Sequence, residues 1–90
     1  MLFTTTPTIE GYPIKQYLGV VTGETIIRNF SNTTYEQLIE NARNVSMNEM
    51  ARHAAQAGAN AVVGIDIDYG SIGLGGSTSI VACSGTAVII

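Results

Sequence analysis

The sequence predicts an α+β fold in the order β-β-α-β-β, an antiparallel sheet with one long helix packed on one face. Three observations predict it. One long stretch, Thr34 to Gly58, is capped at both ends and carries apolar residues at helical spacing. Runs rich in β-branched and aromatic residues lie on both sides of it. The last two such runs are joined by a glycine-rich connection, the mark of neighbouring antiparallel strands. With no internal repeat and no linker, residues 1–90 read as a single domain.

In chain order, residues 2–6 suit a short strand that Pro7 stops, and Thr8–Pro13 is turn-rich. Ile14–Thr22 reads as a longer strand, with Ile14, Gln16, Leu18, Val20 and Thr22 on one face and Lys15, Tyr17, Gly19 and Val21 on the other. Gly23–Asn32 is hard to read and suits a short helix or an extended arm reaching a neighbouring subunit. Thr34 then stands three residues before Gln37, the capping-box spacing that satisfies orphan N–H groups. The helix buries Leu38, Ile39, Ala42, Val45, Met50, Ala54 and Ala57, and its alanine-rich end suggests close approach to the sheet. Glu49 and His53, four apart, form a solvated pair on the polar side. Gly58 supplies the left-handed residue that ends many helices.

Ala61–Tyr69 is the third strand. Its odd positions, Ala61, Val63, Ile65, Ile67 and Tyr69, are apolar and should pack under the helix, while Asp66 and Asp68 face away. Gly70–Ser77 is the connection, and Thr78–Ile89 the last strand.

Composition narrows function by exclusion. Apolar residues make up 46% and charged residues 12%, against about 25% charged in an average soluble domain. So small a chain buries roughly two-thirds of its unfolded surface. Part of its surface is therefore expected to be covered by further copies, as a homo-oligomer. The net charge is −3 and the four cations are scattered, which argues against nucleic-acid and basic membrane-surface binding. One cysteine gives no internal disulfide framework, and the N-terminus lacks a basic signal-peptide region, so a cytoplasmic location is expected.

Three candidate metal ligands emerge. Asp66 and Asp68 project from one strand face about 7 Å apart, a spacing at which two carboxylates can hold a hard cation if other oxygens complete the shell; the bland alternative is a solvated strand face. Cys83 is a soft-metal ligand or, as is commoner for a lone cysteine, a small core residue. The glycine-rich loop at 70–76 lacks the Gly-Lys-Ser/Thr and the following helix of a phosphate loop. Thr4–Thr6 and Thr22–Glu24 line a polar cavity or simply follow strand and turn preference. Nucleophilic catalysis has no support, so a non-enzyme is expected; an enzyme site between subunits, using Glu24 or the aspartates, and a purely architectural ring remain as alternatives.

Several words then coincide: Phe3-Thr4-Thr5-Thr6-Pro7-Thr8, Tyr17–Glu24, Gly58–Tyr69 and Ser84–Val88. Together they resemble the YbjQ family of small proteins, labelled heavy-metal-binding, over nearly the whole chain. The resemblance implies a dodecin-like α+β subunit in a ring-shaped homopentamer, with a divalent or heavy metal ion as the ligand in question; it implies no known reaction. Family members carry a longer segment between the Thr-Gly-Glu motif and the helix, where this chain has only Thr25–Thr33.

Overall fold

A computed structural model describes residues 1–28, 34–72 and 78–90. It contains β1 (Leu2–Phe3), β2 (Gln16–Arg28), α1 (Tyr35–Gln56), β3 (Ala61–Ile72) and β4 (Thr78–Ile89). The sheet order is β1-β3-β4-β2, with β4 antiparallel to both β2 and β3. β1 runs parallel to β3, so the sheet is mixed rather than antiparallel throughout. The α+β class and the order of elements are as the sequence predicts.

α1 begins where its cap places it, with the Thr34 hydroxyl accepting from Gln37 N at 3.3 Å. It ends in paired bonds from Gly58 N to Ala55 O and from Ala59 N to Ala54 O, the Schellman arrangement that satisfies the last carbonyls. Its buried stripe is Ala42, Ser46, Met50 and Ala54, four residues apart each time. Val45 and Ala57, expected in that stripe, are exposed. A spacing of four follows one ridge of the helix, which Val45 and Ala57 leave.

The second strand is longer than Ile14–Thr22. It runs on through Gly23 to Arg28, because Gly23 is a packing position and not a breaker: a Cβ there would strike the Ser46 carbonyl oxygen and lie 2.8 Å from Met50 N. α1 thus crosses the sheet with its backbone almost against this residue. Of the segment Gly23–Asn32, the part up to Arg28 is therefore strand, and 29–32 lie outside the described residues. A register shift between Tyr17 and Gly19 also splits the expected faces, so that Leu18 packs with Val21 on the helix side while Val20 and Thr22 face the other way.

A second bulge, between Val63 and Asp66, changes β3 in the same manner. Gly64, at φ 61°, supplies the left-handed residue it needs. Val62 and Ile65 consequently face α1, whereas Ala61 and Val63, expected beneath the helix, pack with Val88 on the opposite face under Ile9, Ile14 and Ile90. The freed N–H groups of Gly64 and Ile65 donate to Thr6 and Thr4 carbonyls at 2.8 and 3.1 Å. That is what residues 4–6 do in place of extending β1.

α1 lies over β2 and β4 and barely reaches β3. Tyr69, on the helix side, is accordingly 53% exposed instead of packed. The molecule is long, 46 × 19 × 19 Å, with a radius of gyration of 14.9 Å; a compact chain of this length would have about 12 Å. Among the described residues, no helix is long and apolar enough to cross a membrane.

Candidate functional site

The face of the sheet away from α1 is the one that carries Asp66 and Asp68. Cross-strand register orders it in rows: Thr22, Ser84 and Asp66 in one, Glu24, Ala82 and Asp68 in the next. Val20, Thr86 and Val63 flank them on one side, Ile26, Ile80 and Gly70 on the other. Thr22, Glu24, Asp66 and Asp68 are exposed, and Ser84 and Ala82 half-buried. The bulge at Gly64 decides this placement. Without the extra residue, the side chains beyond it would swap faces.

At about 4.8 Å between strands, the Glu24 and Asp68 backbones stand about 10 Å apart, with the aspartates about 7 Å from each other along β3. Side-chain oxygens of Thr22 and Ser84 lie in the same field. Among the described residues, no three His, Cys, Asp or Glu side chains come close enough to hold a metal ion. The described chain therefore offers two adjacent carboxylates and hydroxyls, with a third carboxylate at a distance.

Cys83 is not part of this group. It lies on β4 between Gly23 and Ile67 and faces α1, 1% exposed, packed with Val21, Met50, Ala54, Val62, Ile65 and Ala87. Burial pushes its thiol above the ordinary value of 9.0, while the Arg43 guanidinium pulls more weakly the other way. A neutral thiol in an apolar pocket is a poor metal ligand, since the thiolate is the form that binds. The three ligands suggested by the sequence thus fall on opposite faces of one sheet. The donors on the open face are all oxygen, a set suited to a hard cation and not to a soft heavy metal.

His53 is likewise engaged elsewhere. Its Nδ1 lies 2.7 Å from the Thr22 carbonyl oxygen, which can only accept, so Nδ1 carries the proton. Nε2 then accepts from Arg52 at 3.4 Å. The residue is half-buried and ties the last turns of α1 to β2, in place of the solvated pairing with Glu49.

Sequence reasoning missed Ser46. It is fully buried, and its Oγ hydrogen-bonds Thr25 Oγ1 at 2.8 Å and the Val81 carbonyl at 3.0 Å. The only signal for it was position, midway between Ala42 and Met50. The threonines 4–6 form a turn after β1. Their hydroxyls close a local turn, Thr4 Oγ1 to Thr6 Oγ1 at 2.7 Å and Thr6 Oγ1 donating to Thr8 O at 2.6 Å. The glycine-rich connection is strand as far as Ile72, and 73–77 lie outside the described residues. A hollow of about 260 Å³ sits elsewhere, between residues 25–28 of β2 and Leu38, Asn41 and Ala42 of α1.

The model of the YbjQ family, described as "Putative heavy-metal-binding", matches residues 1–33 and 28–90. The two segments overlap at residues 28–33. A solved structure of a protein of unknown function in the DUF74 family, from Pediococcus pentosaceus ATCC 25745, superposes with a TM-score of 0.76. It is 18% identical, and the match covers 100% of this chain and 97% of that one, a likeness of fold.

Proposed function

The chain belongs to the YbjQ family, and from that premise we propose that it is a homo-oligomeric binding module of the cytoplasm, not an enzyme, which captures a divalent cation on the open face of its sheet. The observation that carries this reading is the pair Asp66 and Asp68, exposed on the same face as Thr22, Glu24 and Ser84. A hard cation such as Ca²⁺ takes six to eight oxygen ligands. Two carboxylates supply at most four, so the remainder come from the hydroxyls, water and symmetry-related copies. A ring such as the family resemblance implies, a pentamer, repeats the pair around its axis and makes that sharing natural.

A binding role is further supported by where the other reactive groups are spent. His53, the sole histidine, holds α1 to β2 through its protonated Nδ1. Cys83 serves the core with a thiol that burial keeps neutral. The family's heavy-metal label fits this donor set poorly, and a hard cation fits it better.

Metal analysis of the purified protein after dialysis against Mn²⁺ or Ca²⁺ tests the proposal, with the double variant Asp66→Asn/Asp68→Asn alongside. Metal retained by the natural chain and lost from the variant is the expected outcome. Metal in neither, or equal metal in both, contradicts it.

A further inference from the structure

Among the described residues, β2 has no partner on its outer side along the whole of Gln16–Arg28. On the other flank, β1 pairs only with Ala61 and Val62, and the bonds that Gly64 N and Ile65 N donate to the Thr6 and Thr4 carbonyls go no further than Ile65 among the described residues. The outer side of β3 from Asp66 to Ile72 is therefore also free among the described residues. Natural edges are commonly protected by charge, proline or bulges; neither strand contains lysine or proline, and the bulges lie at Tyr17/Gly19 and Val63/Asp66, before the stretches that end in Arg28 and Ile72. A strand with unpaired N–H and C=O groups is a template for another strand.

On the helix side of the sheet the two flanks have complementary relief. Tyr69, level with Val81, projects on that side beyond the reach of α1 and is 53% exposed. Beside β2, on the same side, lies the hollow of about 260 Å³ walled by Ile27, Leu38 and Ala42, with Thr25, Arg28 and Asn41 at its polar positions. A strand laid along β2 brings its helix-side residues toward that hollow, because neighbouring strands share the direction of their side chains.

We propose that the β2 edge of one copy pairs with the Asp66–Ile72 edge of a second copy, seating Tyr69 of the second copy in the β2–α1 hollow of the first. This inference rests on the oligomer reading above and gives it an interface. The hollow offers the ring an apolar wall and Asn41 or Thr25 a partner for the phenol, while Arg28, which alternates with Ile27 onto the open face, offers a cation to the aspartates. Charge limits the register. Arg28 is opposite in sign to Asp66 and Asp68, whereas Glu24 repels them, so registers that set the aspartates toward Arg28 are favoured. The two surfaces differ, which makes the contact head-to-tail; such contacts close into rings when the rotation permits.

Sedimentation velocity on the full chain, combined with cysteine cross-linking, tests this. Tyr69→Ala should raise the dissociation constant of the contact about thirtyfold, the loss expected for an aromatic at the centre of an interface. In a Cys83→Ala background, Tyr69→Cys combined with Asn41→Cys should give a ladder of disulfide-linked multimers on mild oxidation. Tyr69→Cys combined with Asn44→Cys, which lies outside the hollow, should give none. Both target positions are at the surface, and circular dichroism checks that each variant folds. A monomeric natural chain contradicts the oligomer reading itself. An oligomer that Tyr69→Ala leaves intact, with no Tyr69–Asn41 ladder, keeps that reading and overturns this interface.

Discussion

The two faces of the sheet share the strands β2, β3 and β4 yet are built to different ends. On the helix side, Val81, Cys83 and Ala87 of β4 are at most 1% exposed, and even the one polar intruder from α1, Ser46, has its bonds made. On the other side Val20 is 78% and Ile26 61% exposed, and the carboxylates stand among them. α1 covers the first face, whereas the second is covered only around Ala61, Val63 and Val88, by Ile9, Ile14 and Ile90. Buried packing is concentrated on the first, and the second carries the exposed carboxylates.

That contrast breaks most readily at Gly23. Gly23→Val would drive two methyl groups into the α1 backbone at Ser46 and Met50, neither of which can yield without moving the helix. A loss of about 3 kcal/mol or more is expected, read from urea unfolding midpoints. A variant as stable as the natural chain would mean that α1 does not approach the sheet so closely. Ser46→Ala should cost about 2 kcal/mol, because the Val81 carbonyl and the Thr25 hydroxyl lose their shared partner inside the core.

Cys83 gives the covered face a pH signature. The folded thiol is held neutral above its ordinary value of 9.0 by burial, against the weaker pull of Arg43. The unfolded thiol ionises once pH passes that ordinary value, so the unfolded chain then binds fewer protons and stability falls as pH rises. Below it, neither state is ionised and no dependence arises. Unfolding midpoints should therefore decline from about pH 9 upward in the natural chain, and Cys83→Ala should remove that part of the decline. An identical decline in both would place the thiol in a wetter site. On the open face, by contrast, Asp66→Asn/Asp68→Asn should leave the unfolding midpoint unchanged, since both side chains are exposed.

How far these features were legible in the sequence follows from which interactions are local. The helix boundaries were, because Thr34, Gln37 and Gly58 act within one turn of themselves. Thr78–Ile89 was too, a β-branched run bounded by the glycine-rich connection, and its burial alternates as far as Ala87. The bulge at Gly64 was hidden: Ala61, Val63, Ile65 and Ile67 look like one apolar face, and only pairing with β4 reveals that the face changes sides midway. Gly23 misled for the same reason. A glycine in a strand signals either a break or a close neighbour, and the neighbour is more than twenty residues away in the chain. The parallel pairing of β1 depends on that bulge as well, through the bonds to Thr4 and Thr6. As for the candidate site, alternation set Asp66 and Asp68 opposite Ile65 and Ile67, but which face of the sheet they share with Val63 depends on the hidden bulge, and the burial of Cys83 needed the packing of α1.

The proposed cation site is tested most directly by calorimetric titration of Mn²⁺ or Ca²⁺ into the natural chain, Cys83→Ala and Asp66→Asn/Asp68→Asn. The account predicts equal binding by the first two and none by the third. Binding that disappears with Cys83→Ala and survives in the aspartate variant would contradict it.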